Sequence, residues 1–149
     1  MTALTLDPRR ARTPTWLASM AAFGVLWNFY GICQFVGTLT PAGRSAMTAG
    51  MTSAQAQVWF ALPPWMSAVF AVGVFGGLLG SLALFARRKA AVAVLAASLV
   101  SDAALFSGDW YFAVFDALPG RLAILACVVM VAVALQACAW AARRRALLR

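Results

Sequence analysis

Long apolar runs dominate the pattern of hydrophobic and polar positions along the chain, and short polar or basic segments separate them. A helix that crosses a membrane needs about 20 mostly apolar residues. Four runs meet this requirement, and they cover approximately residues 16–39, 64–86, 90–107 and 119–142. Because backbone groups in lipid must be hydrogen-bonded within their own segment, each run is predicted to be a transmembrane helix.

Composition supports the same class of protein. Of the 149 residues, 64% are hydrophobic and 11% are charged, and the mean hydropathy is +0.86. Soluble domains are about half apolar and about a quarter charged, so this chain would expose too much apolar surface in water. We therefore predict a single all-α integral membrane domain over residues 1–149, built as a bundle of four transmembrane helices. Its predicted partner is the lipid bilayer.

The basic residues lie beside the apolar runs and indicate the orientation of the chain. They concentrate in the N-terminal arm, in the connector between the second and third runs, and in the C-terminal tail (9–12, 87–89 and 143–149), whereas the other two connectors hold only Arg44 and Arg121. The positive-inside rule then places both termini in the cytoplasm. It also accounts for the net charge of +8 without nucleic acid as a partner. The first run is too long for a cleaved signal peptide, so we expect it to be retained.

The connector between the first two runs is predicted to hold a short helix on the outer surface. Its first part, TPAGRSAMTAGM, is small and polar, as loops are. The stretch 52–62 follows, in which Thr52 or Ser53 can cap a helix that lies in the membrane interface. The apolar face of this amphipathic helix carries Val58, Trp59 and Leu62, and Gln55 and Gln57 lie elsewhere.

Small residues on the first two spans are spaced for close helix packing. The second span contains GVFGGLLGS, and the first has small or polar residues at intervals of three or four. In lipid, such rows let two backbones approach closely. They serve either packing within the bundle or a homodimer face. The predicted packing residues are Gly24, Gly31, Gly73, Gly76, Gly77, Gly80 and Ser81.

Asp102 interrupts the third run and is the main candidate for a functional residue. At 1.5 Å per residue it lies about 18 Å from the inner end of its span, at the same depth as Asn28. An ionised carboxylate that faced lipid there would cost a few kcal/mol, so the acid is either neutral or faces a wet cleft. Two roles stay open: a structural hydrogen bond to Asn28 or to a backbone carbonyl, and ligand or proton handling. Asp109 and Asp116 are expected in solvent, in the outer connector.

Aromatic side chains gather at the predicted outer interface. They are Trp59, Trp65, Trp110, Tyr111, Phe112 and Phe115. Amphipathic rings settle at membrane interfaces, which favours a simple aromatic belt. The alternative is a ring-lined vestibule for a ligand.

The residue inventory excludes several kinds of chemistry. The chain has no histidine, which removes His-ligated haem, typical zinc sites and the usual general base. Its one lysine, Lys89, lies in a basic connector, and its three cysteines lie in apolar runs without a pairing pattern. We therefore predict no cofactor, no metal site and no enzymatic activity.

Several stretches carry a resemblance to known proteins. The run LWNFYG (26–31) with Gln34 and Phe35, the segment 63–90 and the tripeptide ASL (97–99) are similar to a group of uncharacterised small four-span inner-membrane proteins of proteobacteria, some of which are labelled "sugar transporter". The resemblance covers nearly the whole chain and implies a multi-pass protein of the bacterial inner membrane. In that group an acid often stands at the position of Gln34, and the amide here argues against proton coupling at this position.

Two functions from different classes follow. The first is a non-catalytic accessory or scaffolding role in a larger membrane complex. The second is a carrier of small polar solutes, such as sugars, which would act as a homo-oligomer because four helices leave little room for a pathway. Its ligand-binding candidates are Asp102, Asn28, Gln34, Tyr30 and Trp27, since amides beside aromatic faces suit sugars or neutral polar solutes.

Overall fold

The computed structural model describes residues 13–149, which form helices and no strand. Four long helices alternate with three short ones: α1 (Thr15–Leu39), α2 (Pro41–Thr48), α3 (Ser53–Phe60), α4 (Pro64–Phe85), α5 (Ala90–Tyr111), α6 (Val114–Ala117) and α7 (Pro119–Arg144). The long helices α1, α4, α5 and α7 are long and apolar enough to cross a membrane. The prediction of four helices with the length and apolar composition of membrane spans is therefore confirmed. The basic residues predicted to precede the first span, at 9–12, lie outside the described residues.

The four long helices pack as a ring with one weak seam. Helix α4 packs extensively against α1 and α5, and α5 packs against α7. The contact between α1 and α7 is much smaller. We call the end that carries α2, α3 and α6 the loop end, and the end that carries the C-terminal residues the tail end.

A continuous apolar core closes the tail end of the bundle. All four long helices contribute to it, and its fully buried members include Leu17 of α1, Leu84 of α4 and Ala139 of α7. The C-terminal residues complete it, because Leu148 is buried and the Arg149 N–H donates to the carbonyl oxygen of Arg87. The last residues of the chain are thus held against the α4–α5 connector.

The core at the loop end is smaller and lacks α1. Its buried residues are Met66 of α4, Leu105 of α5 and Leu125 of α7, with half-buried Phe106 and Phe115 packed against them. Helix α1 contributes no buried residue to this core, but the Phe35 ring of α1 packs edge-on against Phe70, which borders it.

The helix of the third predicted span extends beyond the predicted end of that span. The sequence placed its end at Ser107, but α5 continues to Tyr111. The polar side chains there have hydrogen-bond partners while the helix continues. Ser107 Oγ donates to the carbonyl oxygen of Ala103 at 2.8 Å, and Asp109 has a partner on α7. Gly108 also lets Trp65 and Met66 of α4 approach the helix closely.

The connector between α1 and α4 is more helical than predicted. The stretch expected to be a loop contains α2, which begins at Pro41 and is capped by Thr40, whose Oγ1 accepts from the Gly43 N–H at 3.1 Å. Helix α3 lies within the stretch 52–62, and Thr52 and Gln55 form its capping box. Gln55 was placed away from the packed face, but its Nε2 donates to the carbonyl oxygen of Ala117 at 2.9 Å. It therefore ties α3 to the end of α6.

The aromatic residues of the loop end divide into two groups. Trp65, Trp110, Tyr111 and Phe112 are exposed, as an interfacial belt requires. Phe115 packs against the loop-end core. Trp59 of α3 faces inward, and the guanidinium of Arg121 lies over its ring. Exposed and inward-facing aromatic rings thus lie on different residues of the loop end.

The predicted packing residues contact other helices of the same chain. A Cβ on Gly24 would overlap Ser81 and Leu135, and one on Gly31 would overlap Val74. The glycines of α4 face side chains of α1 and α5, in the pairs Gly73–Asp102, Gly76–Ser98, Gly77–Asn28 and Gly80–Leu95. These rows are used for packing inside the bundle, which leaves them unavailable as a homodimer face.

Candidate functional site

A cleft of about 1240 Å³ occupies the loop-end half of the bundle. Its walls come from α1, α4, α5 and α7, and residues of α2 and α3, among them Met47 and Trp59, line its outer part. Tyr30 and Ile124 line it and are 61% and 65% exposed, so the cleft is open to the surface.

The cleft exists because α1 and α7 part above the tail-end core. Their packing involves Leu17 and Ala21 of α1, and it ends where Gly24 lies against Leu135 of α7. Beyond that point the two helices form separate walls of the cleft. The small side of Gly24 brings the helices together at the base, and bulkier residues such as Trp27 and Tyr30 stand beyond it.

Asp102 lies at the base of the cleft and is only 7% exposed. Its carboxylate lies against the backbone of Gly73, where a Cβ would occupy the space of Oδ1. One turn along α5, Ser98 donates from Oγ to the carbonyl oxygen of Gly73 at 2.7 Å. Within residues 13–149, Asp102 has neither a hydrogen-bond donor nor a cation beside it.

Asn28 reaches the same base from α1. It is 8% exposed, its Nδ2 donates to the carbonyl oxygen of Gly24 at 2.8 Å, and its Oδ1 lies against Gly77. Asn28 and Asp102 therefore approach α4 one turn apart, but no hydrogen bond joins them among the described residues. One predicted role of Asp102 was a structural hydrogen bond to Asn28 or to a backbone carbonyl. Residues 13–149 show no such bond.

The remaining predicted ligand-binding residues stand higher on the α1 wall. Gln34 Nε2 donates to the Tyr30 hydroxyl at 3.1 Å, and Trp27 is half-buried one turn nearer the base. The five residues named from the sequence, Asp102, Asn28, Gln34, Tyr30 and Trp27, all line this one cleft.

The outer rim of the cleft holds a buried ion pair that sequence reasoning missed. Asp109 was expected in solvent, but it is fully buried, and Arg121 donates to both of its oxygens, with Nη2 3.2 Å from Oδ1. The guanidinium also lies 4.2 Å from the centre of the Trp59 ring. Asp116, by contrast, is exposed as expected. The signal for the pair was an acid and a base at the adjoining ends of two spans.

The described residues of the cleft offer polar groups that could bind a ligand. No group of three or more metal-ligating residues occurs in residues 13–149. Cys127 lines the cleft, and Cys138 is buried in the tail-end core. The arrangement offers a carboxylate, an amide and a hydroxyl at the end of an apolar cleft.

Comparisons of the chain with models of protein families, with curated proteins and with solved structures find no match.

Proposed function

We propose that this protein is a non-catalytic membrane carrier that binds a small solute in the cleft at the loop end. The observation that carries the proposal is a cleft of about 1240 Å³ whose base holds a buried carboxylate, Asp102, without a partner in the described chain. Buried polar groups in membrane spans are costly to keep, and they commonly mark ligand or ion pathways. The volume exceeds that of most small-molecule pockets, which leaves room for a solute and its remaining water.

The closed and open ends of the bundle suit one state of a carrier. The tail-end core seals one side around Leu84 and Leu135, and the cleft opens on the other. With both termini in the cytoplasm of a bacterial inner membrane, as the arginine distribution favours, the cleft opens outward. In the proposed cycle, opening of the tail-end core would release the solute inside. We propose a homo-oligomer as the working unit, because four helices alone supply few surfaces for such a rearrangement.

A cavity-filling variant tests the proposal. Ala132 of α7 lines the cleft, whereas Ala134 is exposed on the same helix and does not. The full chain is placed in lipid nanodiscs, and its thermal unfolding is followed with a panel of sugars, polyols, amino acids and amines. A ligand at a hundred times its Kd stabilises by about 2.7 kcal/mol. At least one solute should raise the Tm of the wild type and of Ala134→Phe but not of Ala132→Phe. Equal behaviour of the two variants with every solute would contradict the proposal.

An accessory role in a larger membrane complex stays a prediction of the sequence. Mild-detergent pull-down with mass spectrometry tests it, and repeated isolation of the chain alone would count against it.

A further inference from the structure

The base of the cleft presents hydrogen-bond acceptors and few free donors. Asn28 uses one amide N–H on Gly24, and its Oδ1 lies against Gly77 of α4. Ser98 uses its hydroxyl hydrogen on Gly73, which leaves oxygen lone pairs. An ionised Asp102 only accepts hydrogen bonds. A ligand group that fits this base must therefore be rich in donors.

Among residues 13–149, no cationic side chain lies beside the Asp102 carboxylate. Arg121 is engaged with Asp109, which lies seven residues from Asp102 and hence about 10 Å away along α5. Arg44 lines the outer part of the cleft and is exposed. A buried carboxylate without a cation is strongly disfavoured, so a cationic ligand would gain more at this position than a neutral one.

The walls between the base and the rim are apolar. They carry Phe70, Val74, Leu105, Val128 and Val131. A ligand with an apolar body of about 10 Å would span the distance from Asp102 to the level of Asp109.

From these three features we infer that the solute is an organic cation, an amine with an apolar body, whose ammonium donates a hydrogen bond to Asp102. This inference rests on the proposed function, and it replaces the sugars and neutral solutes that the sequence favoured.

Three probes of matched shape test the inference on the wild-type chain in nanodiscs. They are 4-phenylbutylamine, the neutral 4-phenylbutan-1-ol, and 4-phenylbutyltrimethylammonium, which is cationic but has no N–H donor. Binding is followed by the fluorescence of the protein's tryptophans, since Trp27 and Trp59 line the cleft, and partitioning into lipid is subtracted with empty nanodiscs. The amine should bind at least about tenfold more tightly than the alcohol, because charge-assisted hydrogen bonds are about twice as strong as neutral ones. The trimethylammonium probe should bind more weakly than the amine.

The variants assign the effect to one carboxylate. Asp102→Asn should lose the preference for the amine and keep the affinity for the alcohol. Asp116→Asn is the matched control, because Asp116 is exposed outside the cleft, and it should behave as the wild type. The comparison of probes on the wild-type chain holds even where Asp102→Asn fails to fold.

The outcomes separate this inference from the proposed function. Equal affinity for the amine and the alcohol, or unchanged amine affinity in Asp102→Asn, overturns the ammonium assignment. So does the absence of saturable amine binding. In each case a neutral solute that stabilises the wild type but not Ala132→Phe would leave the carrier proposal standing.

Discussion

The carboxylate of Asp102 lies against the backbone of Gly73, at a point where any side chain on residue 73 would displace it. Ser98 fixes the same point by donating to the Gly73 carbonyl oxygen. The close packing of α4 on α5 and the position of the Asp102 carboxylate thus both depend on glycine at residue 73.

Adding a methyl group there should therefore disturb both. Gly73→Ala is expected to destabilise the chain by about 1–3 kcal/mol, because overpacking forces side chains or backbones apart. Unfolding by denaturant in mixed micelles measures the change. Gly120→Ala is the control, since a Cβ at Gly120 meets nothing within 4 Å, and it should leave stability unchanged or slightly improved. Equal stability of the two variants would show that the contact is not tight.

The ion pair at the rim should contribute to stability. Arg121→Gln leaves the fully buried Asp109 without its cation, and removing one partner of a buried pair costs about 3–5 kcal/mol. The Arg121 side chain is 18% exposed, so we expect a loss of about 3 kcal/mol. The double variant Asp109→Asn with Arg121→Gln should be more stable than the sum of the single losses implies.

Arg44→Gln is the control for this pair. Arg44 is exposed, and its loss should change stability by about 0.5 kcal/mol or less. Additive effects of the two changes at Asp109 and Arg121 would argue that the pair does not act as a unit.

The positive-inside rule predicts a cytoplasmic C-terminus and an α2–α3 connector on the outer side. A fluorescent protein fused after Arg149 should fluoresce, because it folds in the cytoplasm, and alkaline phosphatase inserted after Gly50 should be active, because that connector lies outside. Activity of the phosphatase at the C-terminal fusion instead would reverse the orientation and turn the cleft toward the cytoplasm.

The four spans were predictable because apolar length is a strong signal that survives any arrangement of the bundle. Depth along each span predicted Asn28 and Asp102 at one level; both line the cleft, but they meet α4 one turn apart, at Gly77 and Gly73. The contact partner of each was not predictable, since rotation of a helix about its axis depends on packing that a single sequence does not record. Thus Asp102 meets Gly73 rather than Asn28.

The errors lie at the loop end, where local polarity misleads. The third span was expected to end near Ser107, with Asp109 in solvent, but Ser107 bonds within α5 and Arg121 donates to Asp109. The connector segment that forms α2 was taken as a loop because its residues are small and polar, although Thr40 and Pro41 provide a helix start.

The native thiols of Cys127 and Cys138 test most directly whether the cleft is open. Cys127 lines the cleft, Cys138 is buried in the tail-end core, and both lie on α7. In a Cys33→Ala chain in sealed vesicles, a small water-soluble thiosulfonate is added from the side of the α2–α3 connector, and mass spectrometry identifies the modified residue. We predict that Cys127 reacts, that Cys138 does not, and that Ala132→Phe slows the reaction of Cys127. Equal protection of both thiols would contradict an open cleft, and the proposed binding function would lose its basis.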